Sequence, residues 1–147
     1  MTVTTTTHLN FAGTARAALD FYAEVFGGSV TAATYGDFGM PAGAPGADSI
    51  VFGQLSGGVI ALMAYDIPGA TDAAATGGTT RRENGVTITD RPFFQSLRAT
   101  SLDELTGYWE ALADGATVVE PLAASAWSAG FGMLTDRFGV TWVLDVA

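Results

Sequence analysis

The reactive side chains of this chain are few, and what is missing narrows its chemistry. There is one histidine, His8, no cysteine and no lysine; the six basic residues are Arg16, Arg81, Arg82, Arg91, Arg98 and Arg137. Without lysine no Schiff base can form, and without cysteine there is no thiolate nucleophile. A three-histidine metal centre is excluded within one chain. Carboxylates are more numerous, but Asp20, Glu24, Asp103, Glu104, Glu110 and Asp114 fall on or beside two helical segments, and Asp66, Glu120 and Asp145 fall at expected strand ends. None is expected at a strand centre, where it could meet His8. A divalent cation held by one imidazole and no carboxylate binds weakly. His8 is thus the only candidate general base, and it lacks a carboxylate partner.

The elements that position these residues repeat. Leu19-Asp20-Phe21-Tyr22-Ala23-Glu24-Val25-Phe26 recurs as Leu105-Thr106-Gly107-Tyr108-Trp109-Glu110-Ala111-Leu112, with apolar residues at helical spacing. Each copy runs into a glycine suited to a helix end and then a β-branched stretch, Gly27-Gly28-Ser29-Val30 and Gly115-Ala116-Thr117-Val118. Ser101 is placed to cap the second helix, with Glu104 three residues on. Strand-like runs flank both helices: residues 3–11, 30–35, 48–55 and 59–65 in the first half, and 93–99, 117–120, 130–135 and 140–146 in the second. Ser56-Gly57 predicts a two-residue hairpin, and Asp136-Arg137-Phe138-Gly139 joins the last two strands. Two irregular stretches interrupt the pattern, residues 36–47 and 67–91; residues 86–89 read as an extra short strand, and the part around 70–80 as an ordinary loop. Stretches this long are often binding loops. The chain therefore reads as a single domain, residues 1–147, with module one at about 1–66, a linker at 67–89 and module two at about 90–147.

Composition sets the outer limits. A chain of 147 residues with 48% hydrophobic side chains can bury a full core. The formal net charge of −9 opposes a phosphate backbone, so nucleic acid is not an expected partner. No apolar run is long enough to span a bilayer and no signal segment opens the chain, which predicts a cytoplasmic protein without membrane attachment.

Asn10-Phe11, Ala18 to Tyr22, Val25-Phe26-Gly27-Gly28, Ala61 to Asp66, Trp127 and Gly132 to Trp142 resemble the PhnB-like (demethylubiquinone methyltransferase-like) branch of the vicinal oxygen chelate superfamily, which includes glyoxalases, bleomycin-resistance proteins and dioxygenases. The resemblance implies an α+β fold of paired βαβββ modules, forming a curled, mainly antiparallel sheet with a central cavity. Metal-using members take four ligands from four strands. Carried onto this chain, those positions fall on His8, Ala61, Phe94 (or Gln95) and Val143, so the resemblance implies a metal-free site without a cofactor. Nothing in the chain looks like a methyl-donor site.

Strand alternation sorts the faces. Leu9 and Phe11 point towards a helix, and Thr6, His8 and Asn10 away from it. Val59, Ala61, Met63 and Tyr65 share a face, with Ile50, Phe52 and Gln54 beside them; Phe94, Ser96 and Arg98 share the corresponding face of module two. The expected ligand residues are His8, Asn10, Phe52, Ala61, Met63, Phe94, Ser96, Arg98 and Trp127, a mainly apolar set suited to a small organic molecule. Each has a plainer reading: His8 bonded to a neighbour at the surface, Arg98 on the surface or in an interface, Trp127 and Trp142 in packing, Tyr22 and Tyr108 in the core. The expected function is sequestration of an apolar or aromatic metabolite or antibiotic by a homodimer. Behind it stands a glyoxalase- or dioxygenase-like enzyme, metal-dependent or using His8 as base, and behind that a protein that only associates.

Overall fold

Two twelve-residue helices, each apolar along one side, organise the fold, and each is packed on a sheet of its own. The computed structural model describes residues 2–70 and 80–147. They form two compact units, Met1–Ala75 and Thr76–Ala147. In the first, β1 (Thr7–Phe11), α1 (Ala15–Phe26), β2 (Ser29–Thr34), β3 (Ile50–Ser56) and β4 (Leu62–Asp66) build a sheet ordered β1-β4-β3-β2. A hairpin of β5 (Arg81–Glu83) and β6 (Val86–Ile88) lies within the stretch expected as linker, residues 67–89. Then β7 (Gln95–Ala99), α2 (Leu102–Ala113), β8 (Thr117–Ala123), β9 (Phe131–Thr135) and β10 (Thr141–Val146) build a second sheet ordered β7-β10-β9-β8. Within each sheet the first and last strands are parallel and the other pairs antiparallel. The fold is α+β, and the expected βαβββ duplication is present.

The repeat extends to the packing of helix on sheet. Leu19 is wholly buried where α1 crosses β3, and Gly53 makes room for it: a Cβ there would lie 2.6 Å from Leu19 Cδ1. In module two, Gly132 on β9 does the same for Trp109, with a Cβ 2.9 Å from Cζ3. Tyr22 is fully buried and Tyr108, its counterpart in the repeat, is half-buried, so only the first belongs wholly to the core. Ser101 caps α2 by accepting from the Glu104 backbone N–H at 3.3 Å, as its spacing predicts.

Several boundaries differ from expectation. Residues 3–6 lie outside β1, and Val3 is exposed. The Ser56-Gly57 turn is not a two-residue hairpin: Leu55 pairs with Leu62, and the five residues between β3 and β4 dock on the end of α1, where the Val59 N–H donates to the Phe26 carbonyl. The shift in register is even, so Met63 and Tyr65 keep the face expected of them, whereas Val59 and Ala61 fall outside β4. Ile50 is an exception. An irregularity in β2–β3 pairing between Ala33 and Thr34 turns it into the core on the α1 side, away from Phe52 and Gln54. The short strand at 86–89 is one arm of the hairpin, closed by Asn84 and Gly85, both at positive φ (52° and 75°). That is the preferred chemistry of a two-residue turn. Glu120 lies inside β8 and not at its end. The expected loop around residues 70–80 falls mostly outside the described residues.

Candidate functional site

Module one keeps an open sheet face opposite α1. Leu9, Phe11, Leu62 and Ala64 are buried beneath the helix, so the alternating residues His8, Asn10, Met63 and Tyr65 stand on the other side. Register aligns His8 with Met63 and Asn10 with Tyr65, and Gln54 continues the His8–Met63 row. Phe52 is 39% exposed on the same face. His8 Nδ1 lies 3.0 Å from Asn10 Oδ1, and the His8 ring meets Tyr65 edge-on at 5.4 Å between centroids. Because the amide oxygen can only accept, Nδ1 carries a proton in this arrangement, which in the neutral imidazole leaves Nε2 as the acceptor. His8 is exposed, not enclosed in an apolar setting.

One end of the same sheet is built around Asp66. Its buried carboxylate accepts from the backbone N–H groups of Gly13 (3.0 Å), Ala15 (2.9 Å) and Ile50 (2.8 Å), and its carbonyl accepts from the Tyr35 hydroxyl at 2.7 Å. Burial first, then Tyr65 and Asp66 nearby, push the Tyr35 hydroxyl above its ordinary value of 10.0. Beside this framework a cavity of about 460 Å³ opens among Ala12, Tyr35, Met40, Pro45, Ile67 and Pro68. None of the residues expected from sequence to touch ligand lines it. The signal that could have found it was the proline- and glycine-rich stretch 36–47.

In module two, Ser96 and Arg98 stand on the face opposite α2, and Ser96 is in register with Val143. Arg98 is committed: Nε and Nη2 donate to the Asp145 carboxylate at 3.1 and 2.7 Å, and that hydrogen bond and charge hold its guanidinium still more firmly protonated. Phe94 precedes β7 and is half-buried. Trp142 is buried and donates to Asp136 at 2.9 Å, as a packing residue should. Trp127 does not pack. Ser125 accepts from the Trp127 and Ser128 backbones, and the resulting turn leaves the indole 96% exposed.

Pairing register also revises the metal-ligand positions carried over from sequence. The strand neighbour of His8 is Met63 and not Ala61, which lies outside β4 and is exposed. Around His8 the available donors are an amide, a thioether and a phenol; beside Ser96 stands an aliphatic valine. These groups do not fit a divalent cation, which requires imidazole, thiolate or carboxylate in number. Among the described residues no group of three histidine, aspartate or glutamate side chains is placed to hold one.

A model of the glyoxalase/bleomycin resistance protein/dioxygenase superfamily matches residues 7–144. Among solved structures, protein PA1353 from Pseudomonas aeruginosa is similar at 32% identity, covering 99% of this chain and 98% of that one, with a TM-score of 0.75. The PhnB protein from Bacillus cereus is similar at 21% identity, with coverage of 99% and 100% and a TM-score of 0.68. A glyoxalase-related enzyme from Fulvimarina pelagi shares the fold at 15% identity, 99% and 89% coverage and a TM-score of 0.54. No curated protein matches the chain.

Proposed function

The chain belongs to the glyoxalase/bleomycin resistance protein/dioxygenase superfamily, and from that membership we propose that it binds a small, largely apolar or aromatic organic molecule without a metal. The observation that carries this reading is the open face of module one. There Met63 stands beside one oriented polar group, His8 held by Asn10, and Phe52, two strands away, adds apolar surface to the same face. Apolar area supplies attraction, and a single acceptor at Nε2 selects a ligand with a donor at its tip. A second reading is favoured by the same contact: an imidazole with Nδ1 protonated and Nε2 free has the tautomer of a general base. Asn10 orients the ring but brings no negative charge to stabilise an imidazolium, which ranks catalysis behind binding.

The test is a thermal-shift screen of aromatic metabolites with and without divalent ions, followed by His8→Ala. A ligand selective for the folded state raises the melting temperature. The expected result is a shift independent of added metal, weakened in His8→Ala by about 1 kcal/mol in affinity. The melting temperature of the unliganded variant should match the parent, because His8 is exposed. Perturbation of the Met63 methyl resonance, and not that of Met40, would place the ligand on the sheet face and not in the 460 Å³ cavity. Binding that requires one equivalent of metal, or that ignores His8→Ala, overturns the reading.

A further inference from the structure

The cavity of about 460 Å³ at the end of module one's sheet is framed by two stretches whose backbones are held in place. The loop of residues 36–49 is closed at its base, where the Tyr35 and Gly36 N–H groups donate to the Ser49 and Ala47 carbonyls at 3.0 and 2.8 Å. At its start Thr34 and Asp37 exchange two hydrogen bonds, and at its end the Ser49 N–H turns back onto the Gly46 carbonyl at 3.1 Å. The second stretch follows β4. There the Ile67 N–H donates to the Phe11 carbonyl at 2.7 Å, and the Ala70 N–H to the Ile67 carbonyl at 3.1 Å. The bond from the Tyr35 hydroxyl to the Asp66 carbonyl ties the two stretches together. The hollow they frame is thus formed before any ligand arrives, and its volume falls in the range of small-molecule pockets.

The wall decides what can fill it. Met40, Pro45, Ile67 and Pro68 present aliphatic surface, and among the described residues that line the cavity Tyr35 is the one aromatic and none is charged. The polar side chains there are the hydroxyls of Tyr35 and Ser49. Tyr35 commits its proton to the Asp66 carbonyl and keeps a lone pair with which to accept. Neither residues 36–49 nor residues 67–79 contain a basic side chain, so neither stretch can offer an anion a partner. A charged head group brought from water against this wall would lose hydration without gaining a counter-ion from it. We propose that the cavity is a second binding site, for a compact, uncharged, alicyclic molecule bearing a hydroxyl. It shares no residue with the His8 face and does not rest on the reading of that face.

Adamantanol, with adamantane carboxylate and adamantyl ammonium as charged counterparts on the same cage, probes the site by NMR titration of protein labelled at the methionine methyls. The alcohol is expected to shift the Met40 methyl and to leave that of Met63 in place. Both ions should bind about tenfold more weakly or worse. Ile67→Trp fills the hollow from a position 41% exposed, where the added ring need not enter the core, and should weaken the alcohol about tenfold or more. Ile67→Phe, a smaller addition, should fall between that variant and the parent, and the melting temperatures of both variants check that they fold. A silent Met40 methyl, either ion binding as tightly as the alcohol, or an affinity unaltered in a folded Ile67 variant would each overturn the proposal. None of these outcomes touches the effect of His8→Ala, which tests the other face.

Discussion

Tyr35 joins the loop after β2 to the end of β4 through its bond to the Asp66 carbonyl, and its hydroxyl titrates above 10.0 because burial, ahead of Tyr65 and Asp66, disfavours the phenolate. The folded state therefore holds this proton more tightly than the unfolded chain. The stabilisation is fully present below the ordinary tyrosine value and is lost as pH rises through the raised one. Tyr35→Phe should cost about 1 kcal/mol at neutral pH, the worth of one hydrogen bond. It should also remove this residue's share of the decline above pH 10.0. Urea midpoints of parent and variant across that range check both parts; parallel curves would show that Tyr35 does not titrate with folding. By contrast the side chain that sequence reasoning did single out, His8, is legible because alternation alone separates it from Leu9 and Phe11.

The two helices are started by different means, and this sets their response to mutation. Ser101 caps α2 locally, while Glu104 accepts from the Thr100 hydroxyl at 3.0 Å and not from the cap residue itself. Thr14, at the same position of α1, makes no side-chain cap; the Ala15 N–H donates instead to Asp66, 51 residues along the chain. Asp66 thus joins α1, β3 and β4 through three backbone donors at its carboxylate. Asp66→Ala should cost about 3 kcal/mol or more, since it strands buried N–H groups, whereas Ser101→Ala should cost about 1 kcal/mol. Chemical denaturation ranks the two; equal losses would mean that the Asp66 contacts contribute nothing beyond an ordinary cap. Gly53 and Gly132 illustrate the same dependence on partners, because each is needed for the side chain that crosses it.

At the scale of the whole molecule, we propose that the protein is a homodimer. Among the described residues strands β1 and β2 in one sheet and β7 and β8 in the other each leave one edge unpaired, and Phe93, Val118 and Trp127 expose apolar surface that a partner would cover. Light scattering should return twice 15.1 kDa at micromolar concentration; a mass of one chain would overturn the proposal. Pro121 within the edge strand β8 is tolerated because one side of that strand has no ladder to interrupt. No helix among the described residues is long and apolar enough to cross a membrane.

The sequence by itself determined the duplicated βαβββ order, the side of each strand that faces its helix, and the scarcity of reactive groups. Those follow from periodicity and composition, which are local or global sums and need no knowledge of partners. It carried an unread signal in Asn84-Gly85, the turn that closes the hairpin bearing Arg82. Which residues meet was decided only by tertiary structure. Ala61 gave way to Met63 beside His8 because strand register depends on how the preceding loop docks on α1. Arg98 met Asp145, and Arg82 among the described residues met the Thr87 hydroxyl and no carboxylate, because each outcome depends on which side chain another strand presents at that point. Asp66, read as an ordinary strand-end acid, became the junction of three elements for the same reason: long-range donors leave no periodic trace in the chain.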